Sequence, residues 1–136
     1  MYKGKCLCGG IQLIVSGKIN DIIHCHCSLC RKSSGTAFAT NGFVNAAEIS
    51  ITKGKSLLKY YELRPGKKCH FCGNCGSPIY SSNDADPTRF RLRLGIVDSD
   101  IVEKPMSHNF VTSKANWDSL DINLPHYEAH EPTRGK

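Results

Sequence analysis

The eight cysteines of this chain are not scattered. They fall into Cys6-Leu7-Cys8-Gly9, Cys25-His26-Cys27-Ser28-Leu29-Cys30, Cys69 alone, and Cys72-Gly73-Asn74-Cys75-Gly76. Thiolates two or three residues apart have the spacing of metal ligands. A tetrahedral zinc ion with Zn–S near ~2.3 Å holds its sulfurs about 3.8 Å apart, so neighbouring ligands need a tight turn between them. Gly9, Gly73 and Gly76 are placed to give such turns positive φ and to aim N–H groups at the sulfurs. Cys72-x-x-Cys75 is also a redox spacing, but redox pairs usually open a helix in a βαβ setting, and none surrounds these residues. Metal is the chemistry this pattern supports.

Cys6, Cys8, Cys72 and Cys75 make a full set of four thiolates that ties the start of the chain to a distant hairpin, which reads as a structural staple. Cys25, Cys27 and Cys30 remain as a group of three. A metal with three protein ligands and an open fourth position is the usual form of a catalytic zinc centre. Cys69, His24 and His26 are the available fourth partners. If His24 to Cys27 is extended, alternation puts both cysteines on one face and both histidines on the other. The role of Cys69 stays open.

The elements that must position these groups carry a period of two. Ile11–Val15, Ile49–Thr52 and Leu57–Tyr61 are short, rich in β-branched or aromatic residues and bounded by breakers, so they read as strands. In Arg89–Leu94 three arginines share one face and Phe90, Leu92 and Leu94 the other, the pattern of an outer strand with a solvated arginine side. No helix longer than two turns is expected. Asn45-Ala46-Ala47-Glu48 has capping-box spacing but leaves room for a single turn before Ile49. Pro125–Lys136 reads as an extended tail. Phe38, Phe43 and Trp117 are core candidates that could instead wall a pocket.

With 136 residues, 40% hydrophobic and 22% charged, the chain has the size and balance of one globular domain spanning residues 1–136. The apolar runs are too short for a membrane span. Met1–Cys6 has no apolar stretch of the kind a secretion signal needs, so the expected compartment is the cytoplasm, where thiols stay reduced. The formal net charge is +6. Seven bound thiolates and two dications would lower that by about 3, so much of the basic excess balances metal sites and nucleic acid ranks last among partners.

Gly4-x-Cys6-x-Cys8-Gly9, Cys25-His26-Cys27-Ser28-x-x-Arg31 with Cys30 inside it, Gly35, and Phe71-Cys72-x-x-Cys75-Gly76 together resemble the glutathione-dependent formaldehyde-activating enzyme family, to which centromere protein V is related. His108, Lys114, Trp117 and Pro125 resemble its C-terminal segment. The resemblance implies packed antiparallel sheets stapled by zinc sites, with two zinc ions per chain. It also implies a structural site at Cys6, Cys8, Cys72 and Cys75 and a catalytic one at Cys25, Cys27 and Cys30. The implied activity is carbon–sulfur lyase chemistry, joining glutathione or a related small thiol to formaldehyde. Glutathione carries carboxylates; Arg31 and Lys32, directly after Cys30, are candidates by position to receive them, and the arginine face of Arg89, Arg91 and Arg93 is a weaker candidate, a solvated face being favoured there. Two other readings stay open: a non-catalytic carrier of the thiol adduct, and a zinc-stapled module for protein or nucleic-acid interaction.

Overall fold

A computed structural model describes residues 1–119, 123–130 and 132–133. Its elements in chain order are β1 (Tyr2–Lys5), β2 (Gln12–Val15), β3 (Asn20–Cys25), α1 (Ser28–Ser34), β4 (Ala39–Asn45), β5 (Ile49–Lys53), β6 (Leu58–Arg64), β7 (Lys67–Cys72), β8 (Pro78–Asn83), β9 (Arg89–Arg93) and β10 (Ser107–Asn109). Two sheets result: a small one in the order β1-β2-β5, and a large one in the order β10-β3-β4-β9-β8-β7-β6. Every pairing is antiparallel except β10 with β3, which is parallel. The expected mostly β architecture of antiparallel sheets is therefore present, with one parallel edge.

The predicted strands coincide with β2, β5, β6 and β9 to within a few residues. Asn45 ends β4 and caps a single 3₁₀ turn, Ala46–Glu48, its Oδ1 accepting from the Ala47 N–H at 3.0 Å. The one α-helix among the described residues is short, as expected, and ends at Gly35, whose positive φ lets its N–H close on the Arg31 carbonyl. Of the tail, residues 125–130 and 132–133 are exposed and carry no helix or strand, while Glu131 and residues 134–136 lie outside the described residues.

The core is aliphatic: Ile11, Leu13, Val15, Ile19, Ile22, Val44, Ile79 and Leu92 are buried together with Cys6 and Cys72. Each such side chain contributes about 1.5–3 kcal/mol of transfer free energy. Leu92 is the inward residue of the alternating β9 pattern. The other face of β9 differs from the expectation. β9 is not an outer strand but lies between β4 and β8, so its arginines look across the middle of the large sheet. Register places Phe43, Arg91, Ser81, Cys69 and Tyr61 in one row across five strands, with Asn41 opposite Arg93 in the next. That polar row is the floor of the site described next.

Candidate metal centres

The first cysteine cluster forms where two turns meet. Gly9, with φ of 74°, and Gly76, with φ of 80°, let the chain double back after each cysteine pair. Gly73 does not have positive φ; it is needed for room, because a Cβ there would sit 2.8 Å from the Lys59 side chain and 3.0 Å from the Leu57 carbonyl oxygen. The turns bring Sγ of Cys6 to 3.5 Å from Cys8, and Cys8 to 3.9 Å from Cys72. All four sulfurs of Cys6, Cys8, Cys72 and Cys75 lie within 4.8 Å of one another. This matches the separation of about 3.8 Å that a tetrahedral thiolate site requires.

Polar hydrogens already face these sulfurs. The Ile11 N–H donates to Cys6 Sγ at 3.2 Å and the Gly10 N–H to Cys8 Sγ at 3.4 Å. Ser77 Oγ is 3.3 Å from Cys75 Sγ, and the Ser77 side chain, followed by its backbone, brings the Cys75 thiol down to about 5. Four sulfurs this close together can fill the coordination of a tetrahedral metal ion with no position left over.

The second cluster is local. Cys25 ends β3, Cys27 is the extended N-cap of α1, and Cys30 lies in the first turn of that helix. Their three sulfurs also lie within 4.8 Å of one another. The Cys30 N–H donates to Cys27 Sγ at 3.3 Å. Burial acts to raise the Cys27 thiol, but that N–H and the neighbouring sulfurs outweigh it and the net shift is downward. Cys30 goes the other way, pushed far up first by burial and then by Cys25 and Cys27 beside it. The two shifts run in opposite directions within one cluster, and cation binding there would displace thiol protons.

Unlike the first cluster, this one opens onto a cavity of about 720 Å³ between α1, the large sheet and Phe110. Five cations line it: Lys32, Arg64, Lys67, Arg91 and Arg93. Among the described residues no Asp or Glu does. The cations crowd each other. Lys67 is shifted down by burial and then by Arg91 and Arg64, and Arg93 is shifted down by burial against the opposing pull of the Cys69, Cys30 and Cys25 sulfurs.

Lys32 lies on the cavity wall as expected, whereas Arg31, its neighbour, does not line it and has its Nε buried. The arginine face of β9, expected in solvent, supplies Arg91 and Arg93 instead, because β9 is central in the sheet. Cys69 lines the cavity in register with Ser81 but lies outside the three-sulfur cluster. His70 lines the cavity, whereas His24 and His26 do not. His24 contacts Thr40 at 2.7 Å, and buried His26 contacts His108 at 2.9 Å, with the Phe38 ring beside both, which ties β3 to β10. Of the aromatic candidates, Phe43 lies under the Arg89 and Arg91 guanidiniums and Trp117 is exposed. Asn41 and Lys67 were not singled out by spacing; only pairing across the sheet brings them to the cavity.

A mostly antiparallel β domain with one closed and one open thiolate cluster defines a class of cysteine-rich metal-site proteins. The family model "Glutathione-dependent formaldehyde-activating enzyme" matches residues 1–113, and the chain belongs to that family. A Halomonas elongata protein named "Putative glutathione-dependent formaldehyde-activating enzyme" is 24% identical over 129 residues, covering 89% of this chain and 82% of the relative. A crystal structure of a Rhodobacter sphaeroides protein superposes with a TM-score of 0.63 at 21% identity, covering 78% of this chain and 98% of that one. At that identity the likeness shows the fold alone. Among the described residues no helix is long and apolar enough to cross a membrane.

Proposed function

We propose that this chain is a zinc-dependent carbon–sulfur lyase, acting as one domain in a reducing cytoplasm, that joins glutathione or a related small thiol to formaldehyde and cleaves the adduct in reverse. The observation that carries this reading is the open cluster of Cys25, Cys27 and Cys30 at the end of a cavity rich in cations. Cys6, Cys8, Cys72 and Cys75 would hold one zinc ion as a structural site, and Cys25, Cys27 and Cys30 a second as the catalytic site. A zinc ion with an exchangeable fourth position supplies Lewis acidity and lowers the pKa of a bound thiol or water.

The rest follows from the chain's own residues. In the forward reaction the thiol S–H bond breaks, a C–S bond forms to the aldehyde carbon, and the proton ends on the former carbonyl oxygen. Lys32, Arg91 and Arg93 offer charge-assisted hydrogen bonds to substrate carboxylates. Leu29, Phe71 and Phe110 give the cavity apolar walls that exclude water around the sulfur. Substrate binding thereby passes from Arg31 to the β9 arginines.

Formation of S-hydroxymethylglutathione, followed by exchange spectroscopy that separates the spontaneous reaction, tests the activity. The zinc-loaded protein is expected to exceed that background. Adduct binding without any gain in rate would identify a carrier instead.

The two sites are also expected to differ in lability. Under a mild chelator one zinc equivalent leaves first, and Cys25, Cys27 and Cys30 become the first residues alkylated, because that site has three thiolates and an open side. Mass spectrometry of alkylated peptides against zinc content follows the order. Release of both equivalents in one step would mean that the sites are alike.

A further inference from the structure

The two faces of the large sheet can be followed out to its parallel edge. Ile23 and Cys25 of β3, with Ser107 and Asn109 of β10, line the cavities on one face, while His24 and His108 meet on the other. Alternation along β10 would therefore put residue 110 on the histidine face, away from the sulfurs. Phe110 is found on the cavity instead. With φ of 58° and ψ of 43° it breaks the strand by a left-handed step, and that step turns its ring to the sulfur side.

A phenylalanine rarely adopts this conformation, whereas glycine does so freely. Backbone strain of this kind persists where the surroundings over-determine it, and it gathers at functional sites. The contacts that hold it here are specific. The His26 N–H donates to the Asn109 carbonyl at 2.9 Å, the buried His26 ring meets His108 at 2.9 Å, and the Ser113 N–H closes on the Phe110 carbonyl at 3.0 Å. Ala115, 3% exposed, anchors the far end of the segment. Phe110 is thus fixed by the same backbone that pairs with Cys25 and bonds the residue between Cys25 and Cys27.

The ring held in this way is not a core side chain. Phe110 is 64% exposed, and Leu29, between Cys27 and Cys30, is 48% exposed on the same cavity. Core packing therefore does not account for the left-handed step. We infer that Phe110 is a size-selecting residue at the mouth of the cavity, whose ring admits small electrophiles to the sulfurs of Cys25, Cys27 and Cys30 and turns bulky ones away. The inference goes beyond the proposed reaction, because it concerns which molecules reach the sulfurs, whatever chemistry follows.

The test compares two alkylating reagents with the same reactive group, N-ethylmaleimide and fluorescein maleimide, on the full chain as purified. Mass spectrometry follows the rates at the peptide of Cys25, Cys27 and Cys30, with exposed Cys8 of the other cluster as the reference. Phe110→Gly keeps the left-handed turn and removes the ring. It should raise the fluorescein maleimide rate at the three cysteines by at least about tenfold and the N-ethylmaleimide rate by less than about twofold, with Cys8 unchanged. Phe110→Tyr should keep the wild-type discrimination. The same ratio of bulky to small reagent in the wild type and in Phe110→Gly would overturn the inference. So would a rise at Cys8 equal to that at the three cysteines, which would mean general loosening, or a Phe110→Tyr protein that behaves like Phe110→Gly. Three cysteines that neither reagent reaches even in Phe110→Gly would overturn it as well. Turnover plays no part in the measurement, so the lyase reading stands or falls separately.

Discussion

Replacing Cys72 by serine is expected to unfold the protein or to lower its melting temperature drastically. Cys72 is fully buried, belongs to the hydrophobic core and to the four-sulfur cluster, and joins β7 to the turn between β1 and β2. Structural zinc sites carry apparent binding free energies of about 10–16 kcal/mol, as much as the whole stability of a typical domain of about 5–15 kcal/mol. Serine at this position removes one thiolate and leaves a hydroxyl in an apolar core. Thermal melting by circular dichroism with zinc quantified on the same sample gives the answer. A Cys72→Ser protein that melts like the wild type and retains two zinc equivalents would show that the staple is not structural.

The second large effect separates chemistry from folding. Cys27→Ala should lose turnover by more than ~100-fold, since even changes outside the ligand shell of a metal site cost about 10- to 100-fold. The fold should persist. Cys27 contributes to α1 only as its N-cap, where the loss to alanine is about 0.5–2 kcal/mol, and the closed cluster is untouched. One zinc equivalent should remain. Steady-state rates beside melting curves check both halves. Wild-type turnover by a Cys27→Ala protein holding a single zinc would place catalysis elsewhere.

The cysteine groups were legible because a local spacing encodes a local geometry. Cys25, Cys27 and Cys30 needed only a strand end and a helix start, and the opposition of His24 and His26 to those sulfurs followed from alternation alone. The cavity was less legible, for it depends on which strands become neighbours. The spacing of Arg89, Arg91 and Arg93 fixed a shared face but not where in the sheet that face would lie, and central placement between β4 and β8 turned an expected solvent surface into a floor. Arg31 lies off the cavity for a related reason. Adjacency to Cys30 says nothing of direction, and at about 100° per residue Leu29, Cys30, Lys32 and Ser33 span one side of α1 while Arg31 falls on the other. Asn41 had no spacing signal of any kind; only strand pairing brings it opposite Arg93 at the cavity.

The separation of 64 positions between Cys8 and Cys72 also has a consequence in time. At about 5–20 residues per second, a ribosome releases the second half of the staple roughly 3–13 s after the first. Cys25, Cys27 and Cys30 emerge within one short stretch, so the open cluster is chemically complete while the small sheet still lacks half of its clasp. A nascent chain therefore exposes a finished trio of thiols beside two waiting ones. On the proposed two-site reading, an ion captured early across Cys6, Cys8 and the trio would have to let go again for Cys72 and Cys75 to complete their own site.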